Sequence, residues 1–338
     1  MTTALTRRGA LAATVLLAAP RIVRAQSKDL VVGGAAGMAG YMKEFVFPVI
    51  EKQLGIKIVF DGTRSLVNLE KMRADKAAPR MSVVLMDDPI MQIAAEEGLL
   101  AKITVPNLSK IKPEAVHLDG AWANYQQPWA GIAYNTKALP KGVGSYAELW
   151  APGAKGKVIV PSLQNTEGLW TLLAASHLES GKPFAQAQYD MDAGFKKLAS
   201  LKPNVLTVYT NQPQAENLLE SGEAAFMSGQ FSSYTLIRAA AAAPVGLSAP
   251  SEGTFAMPSG ICKVRGGPNE AGADAFIDAF LGAEIQAILV EKSFVLPTNP
   301  ATKIPAGFQA PKDPFVPDWA NVNKNRDAWI QKWNQVMG

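Results

Sequence analysis

The sequence predicts an α/β protein built in two parts. Three observations carry that expectation. Short apolar runs alternate with helix-length stretches, strand–loop–helix three times over residues 30–98, the pattern of βαβ units around a partly parallel sheet. The alternation restarts after Trp129. The length, 338 residues, suits about two domains at roughly 150 residues each. With 48% hydrophobic and 18% charged residues, the chain has enough apolar mass for a packed core, which excludes wholesale disorder.

Residues 1–25 read as an export leader. Arg7 and Arg8 open it, an apolar stretch over 10–19 follows, and Val23-Arg24-Ala25 supplies a small-residue exit, with cleavage expected before Gln26. The stretch is too short to span a bilayer. Paired arginines ahead of it point to the twin-arginine route, with an ordinary secretory leader as the alternative. No later run reaches 18 apolar residues, so the mature chain is expected to be exported and soluble, in the periplasm. The leader also accounts for the net charge of +4. It holds four arginines and no acid, and without them 29 basic residues stand against 29 acidic ones. The basic balance therefore gives no reason to expect nucleic acid.

In the mature chain, residues 30–32 form the first strand. They feed a glycine-rich loop over 33–40 and a helical pattern with Phe45, Val49 and Ile50. Residues 56–60 are the second strand, 62–65 its exit loop, and Leu66, Leu69 and Met72 mark the next helix. Residues 83–86 are the third strand. Asp87-Asp88-Pro89 then opens a helix ending at Gly98, with Asp88 expected as the N-cap and Pro89 at the first helical position. In the second half, Ser145 and Glu148 have capping-box spacing. Strands are expected over 156–161, 205–209 and 224–227, with polar exit loops over 162–168 and 228–233. Helices are expected over 169–178, 213–221 and up to the alanine run 239–243, closed by Pro244. A single long helix over 270–291 carries Phe276, Ile277, Phe280, Leu281, Ile285 and Ile288 at core spacing. The last helix, over 326–337, places Trp329, Trp333 and Val336 on one packing face.

Chemistry is narrowed by what is scarce. One cysteine, Cys262, permits neither a disulfide within the chain nor a cysteine-based metal site. Two histidines, His117 and His177, leave no histidine-rich metal site and little room for a Ser-His-Asp triad. The glycines at 33, 34, 37 and 40 do not make a dinucleotide loop, and neither a P-loop nor a nucleophile elbow occurs. What remains are small polar loops leaving strand ends and entering helices. In open α/β sheets the ligand lies in that crevice, and helix starts favour anionic or strongly polar groups.

The residues also carry a family resemblance. Asp87-Asp88 with Glu97-Gly98-Leu99-Leu100, then Gly131-Ile132-Ala133-Tyr134-Asn135, then Ser145 through Trp150 form the first three signatures. Pro250-Ser251-Glu252-Gly253-Thr254-Phe255 and Ala275 through Leu281 with Glu284, Gln286 and Pro297-Thr298-Asn299 complete them. In order and spacing they resemble the solute-binding proteins of ABC importers, in the branch holding the spermidine/putrescine- and ferric-ion-binding proteins. The resemblance implies a periplasmic-binding-protein type II fold, with two α/β lobes, two crossing strands as hinge and a ligand cleft between the lobes. It implies crossings near 129–133 and 251–257, hence lobe 1 over 26–128, lobe 2 over 129–254, and a return to lobe 1 over 255–338. It implies a monomer without metal or cofactor that closes on a small molecule and is recognised by a cognate membrane permease.

The departures from that branch shape the ligand. Polyamine-binding relatives use acids just after the second crossing, where Pro258 stands here, and in the loop over 162–166, which here holds none. Glu167 is the acid that follows. Ferric-ion relatives use adjacent tyrosines where this chain reads Ser228-Gly229-Gln230-Phe231-Ser232-Ser233-Tyr234. The ligand is therefore expected to carry a carboxylate or phosphonate. Arg64 would hold that group. Thr63, Ser65, Asn165, Thr166 and Gln230 would hydrogen-bond, with Ala36 and Phe231 lining the loops beside them. Asp87 would take an amine if the ligand is zwitterionic, and Trp129 would pack on its apolar part. No residue is expected to be catalytic. The alternatives are an exported hydrolase-like enzyme on the same frame and a polyamine receptor.

Overall fold

The computed structural model describes residues 29–306, 308 and 310–338. The export leader expected over 1–25 lies outside the described residues. In chain order the first part holds β1 (Asp29–Ala35), α1 (Ala39–Tyr41), α2 (Phe47–Leu54), β2 (Lys57–Thr63), α3 (Ser65–Ala74), β3 (Val83–Asp87) and α4 (Asp88–Glu96). β4 (Leu100–Ala101), β5 (Val116–His117) and β6 (Trp122–Gln127) complete it. The second part holds β7 (Trp129–Asn135), β8 (Val158–Pro161), α5 (Thr166–Ser180), α6 (Phe184–Ala187), α7 (Met191–Leu201) and β9 (Val205–Tyr209). It continues through α8 (Gln212–Ser221), β10 (Phe226–Phe231), α9 (Ser232–Ala240), β11 (Val245–Ser248) and β12 (Phe255–Ala256). The chain then adds β13 (Ser259–Val264), α10 (Glu270–Leu281), α11 (Ala283–Ser293), β14 (Leu296–Pro297) and α12 (Trp319–Met337).

These strands form two sheets. The first runs β14-β6-β13-β3-β1-β2, with β4 on β13 and β5 on β6. Its β3-β1-β2 half is parallel, as the repeated βα units require. The second runs β11-β7-β10-β8-β9, with β12 on β7. The chain passes from first sheet to second between β6 and β7 at Pro128, and back between β12 and β13 at Met257 and Pro258. The two passages are tied by the Met257 N–H donating to the Pro128 carbonyl at 3.2 Å. The first lobe buries Val32, Leu85, Tyr125, Ile261, Phe276 and Phe280 in one core. The second buries Ile132, Val160, Trp170, Leu173, Phe195 and Phe255 in another.

Several expectations change. The helix over 270–291 is two, because Gly282 turns extended (φ −71°, ψ 147°) between α10 and α11. The capping box at Ser145 forms but heads a single 3₁₀ turn, Tyr146–Trp150. α12 starts at Trp319, ahead of residue 326, because Asp318 caps it by accepting from the Asn321 N–H at 3.1 Å. The segment 255–338 was expected to return to lobe 1, yet it does not do so as one piece. Phe255–Ala256 pairs with β7 in the second sheet. α12 turns the buried residues Val322, Trp333 and Met337 into the second core, because one apolar stripe of an amphipathic helix must be covered.

Candidate functional site

On the first lobe, β1, β2 and β3 are parallel neighbours, so their carboxyl ends open on one edge. Ala36 lies exposed after β1, and Thr63 is half-buried at the end of β2. Arg64 sits exposed at the N-cap of α3 and makes no ion pair among the described residues. Ser65 is buried, and its hydroxyl donates to Asp87 Oδ2 at 3.1 Å while the Asp87 N–H reaches Ser65 Oγ at 3.2 Å.

Asp87, not Asp88, occupies the N-cap of α4, and its side chain makes no capping bond. The reason is that Asp88 is drawn inward. It accepts from Trp122 Nε1 at 2.8 Å and from Asn124 Nδ2, with His117 Nε2 at 3.7 Å. Asp87 stays at the strand end, bonded to Ser65. Burial pushes its carboxyl above the usual range, while the Ser65 bond and the charge of Arg326 pull the other way.

The second lobe presents the start of α5. Asn165 is its N-cap and donates Nδ2 to the Thr210 carbonyl at 3.2 Å; Thr166 follows, half-buried. Glu167 is buried in the first turn. Burial pushes it up to about 7, with the charges of Asp87 and Glu216 adding to the rise and a backbone hydrogen bond opposing it. Tyr234, on α9, has its phenol raised by burial and by the nearby charges of Glu167 and Asp87. The lobes are in contact: a Cβ placed on Gly37 would meet the Tyr234 ring at 3.0 Å.

The third wall is α12. Arg326 is lowered from the ordinary arginine range by burial and favoured by Asp87. Its Nη2 donates to Asn323 Oδ1 at 3.3 Å, while its Nε has no partner. With Leu163, Asn165, Thr166, Leu169, Val322 and Trp329 it lines a cavity of about 10 Å³, the space of one water. The charge of Asp87 thus acts both on Glu167 of the second lobe and on the buried Arg326 guanidinium of α12.

Ser65 and Asp87 are joined by hydrogen bonds at the strand ends of the first lobe, with Ala36 and Thr63 on the loops beside them, and Asn165 and Thr166 line the small cavity with Arg326. Of the other expected residues, Arg64 is exposed, while Gln230, Phe231 and Trp129 are buried. Gln230 is wholly buried and donates to Tyr209 Oη at 2.6 Å and the Ser228 carbonyl at 3.3 Å. Phe231 packs in the second core at 6.3 Å from Trp170. Both stand inside β10 rather than on an exit loop, because the strand bulges between Met227 and Gln230, where Gly229 takes φ +67°. Trp129 lines a different cavity, of about 620 Å³, with Leu236 and Leu247 of the second lobe and Val290 and Phe294 of the first. Sequence reasoning missed Arg326 and Tyr234 and gave Glu167 no role. The available signal for Arg326 was a charge on the apolar stripe of Val322, Trp329 and Trp333. Among the described residues, no group of three or more His, Cys, Asp or Glu side chains is placed to hold a metal ion.

Two lobes joined by two crossing strands, with polar strand-end loops meeting at their junction, define a cleft-type binding protein. The comparisons give it a family. A model for bacterial extracellular solute-binding proteins matches residues 48–316, and the chain belongs to that family. Its function is the capture of a solute. Among curated relatives, a Salmonella typhimurium periplasmic protein named for 2-aminoethylphosphonate binding is 24% identical over 307 residues, 86% of each chain. Iron uptake protein A1 of a Synechocystis strain is 27% identical over 272 residues, 76% of this chain and 73% of the relative. A periplasmic binding protein of Actinobacillus pleuropneumoniae, solved with fructose-6-phosphate, has the same fold with TM-score 0.76 and 22% identity, covering 92% of this chain and 99% of that one.

Proposed function

We propose that this protein captures a small zwitterion, an ammonium group joined to a phosphonate or carboxylate, and delivers it unchanged to a membrane permease. The observation that carries the reading is the charge set at the lobe junction: Asp87 and Glu167 from opposite lobes, with the unpartnered Arg326 Nε beside them. An ammonium group between the carboxyls relieves their repulsion and their burial cost. An acidic group on Arg326 gains a charge-assisted bond next to the first turn of α5, where the helix dipole also favours it. A simple amine leaves Arg326 unused; a simple acid leaves the carboxyls facing each other. The Salmonella relative's named ligand, 2-aminoethylphosphonate, has both groups. In this reading Arg326 takes the part first expected of Arg64. The protein works in the periplasm as a monomer, with the leader removed near Ala25.

Because a ligand shifts closure only by binding the closed form better, the carboxyls must gain from it when the lobes meet. The test is calorimetry on residues 26–338 with 2-aminoethylphosphonate, ethylphosphonate, propylamine and putrescine. Binding of the first, at least tenfold tighter than the two single-charge compounds, supports the zwitterion. Equal binding of ethylphosphonate, or preference for putrescine, overturns it. Phosphorus NMR of the recovered ligand checks that no bond has been broken; turnover would make the protein an enzyme.

A further inference from the structure

α12 is rooted in one lobe and touches the other. Its roots are in the second lobe. The Asp318 N–H donates to Gln188 Oε1 at 2.8 Å, Tyr189 Oη donates to Asp318 Oδ2 at 2.9 Å, and Trp333 is buried in the core. Its hydrogen bond to the first lobe comes from Asn323, whose Nδ2 donates to the Pro89 carbonyl at 3.0 Å. Pro89 lies two residues beyond Asp87, in the first turn of α4. The other end of the same amide, Oδ1, accepts from Arg326 Nη2 at 3.3 Å. A flipped amide would set donor against donor at Arg326 and acceptor against acceptor at Pro89, so both partners fix one orientation.

From this geometry we infer that Asn323 is a positioning residue for capture: one amide clasps the two lobes and holds the Arg326 guanidinium in place at their junction. When the lobes part, α12 leaves with the second lobe and α4 with the first. The Asn323–Pro89 bond then breaks, and Arg326 withdraws from Asp87. Closure restores both at once. Asn323 therefore biases the open–closed equilibrium without touching the ligand, and apparent affinity follows the closed fraction. The inference stands apart from the ligand class proposed above.

The experiment measures closure without any ligand. Spin labels on Lys57→Cys of β2 and Gln214→Cys of α8, both exposed sites on opposite lobes, report the inter-lobe distance distribution; Cys262 is buried. Asn323→Ala is expected to lower the closed-to-open ratio by about two- to tenfold, the weight of one net hydrogen bond. Asn323→Asp keeps an acceptor for Arg326 but loses the donor to Pro89, and should open the lobes as far or further. Asn325→Ala, whose bonds stay within the helix at Asn321, should leave the ratio unchanged. A ratio for Asn323→Ala within 1.5-fold of the parent overturns the inference. So does an equal loss in Asn325→Ala, which would mean general loosening of α12, or a parent with no closed population. Failure of 2-aminoethylphosphonate to bind would sink the ligand proposal and leave this result untouched.

Discussion

Glu167 offers a test of the site that needs no knowledge of the ligand. Its carboxyl lies at about 7 in the folded chain against an ordinary 4.5. At about 1.4 kcal/mol per unit, that gap is worth roughly 3 kcal/mol. Between these values the folded chain holds a proton that the unfolded chain has released. The contribution is therefore complete below about 4.5 and is lost as the pH rises through about 7. Glu167→Gln keeps the size and the polar tip without the titration. Relative to the parent, the variant should gain about 2–3 kcal/mol of unfolding free energy between pH 5 and pH 8. Asp87, Asp88 and Glu216 are also raised by burial, but they titrate in both chains and largely cancel in the difference. Urea unfolding of residues 26–338 at both pH values measures it. Parallel stability profiles for the two chains would refute a buried, titrating Glu167. The same proton predicts the binding behaviour. An ammonium ligand must drive it off, so 2-aminoethylphosphonate should bind about tenfold more weakly at pH 6 than well above pH 7, and Glu167→Gln should flatten that slope.

The other substitutions separate ligand contacts from scaffold. Arg326→Gln should weaken 2-aminoethylphosphonate binding by about 1.5–3 kcal/mol, while Arg64→Ala changes it by less than about 1 kcal/mol; calorimetry showing the reverse order returns the anion to Arg64. Asp88→Ala strands the buried donors Trp122 Nε1 and Asn124 Nδ2, so it should cost about 2–4 kcal/mol of stability in urea unfolding. Parent-like stability would mean that Asp88 is not the anchor of α4. Gly168→Ala brings a Cβ to 2.5 Å from the Ser162 carbonyl and 2.6 Å from Leu163 Cα. It should displace the start of α5 and cost about 1–3 kcal/mol, with a lowered melting temperature and weakened binding together; a silent substitution would mean that this turn is not close-packed.

The first-lobe half of the site was legible because it rests on local rules. Parallel βα units place successive strand ends on one edge, so Ala36, Thr63, Ser65 and Asp87 could be grouped without knowing how the sheet closes. Asn165 and Thr166 follow by the same rule in the second lobe. The errors lie where one residue of register decides orientation. The bulge at Gly229 keeps Gln230 within β10, and the pull of Trp122 and Asn124 takes Asp88 away from the expected cap. Neither partner is near in sequence. Arg326 is harder still, since it meets Asp87 only because α12 returns across the junction. On a helix read alone, an arginine beside Trp329 and Trp333 is one more snorkelling side chain.

These particulars bear on how one frame serves different ligands. Relatives are named for a phosphonate and for iron, and a protein of the same fold was solved with fructose-6-phosphate bound, so the lobes alone do not select. In the proposed reading, selection rests on the charge balance at their junction. Here the charges of Asp87 and Arg326 act on each other across the lobes, and Glu167, near 7, is a third charge that the pH switches on. An ammonium group favours the ionised form of Glu167, and a bare anion favours the protonated one. In the proposed reading, the same cleft is tuned toward zwitterions in proportion to how far Glu167 is ionised. Changing that single residue should move the preference toward simple anions while leaving both cores and both crossings as they are.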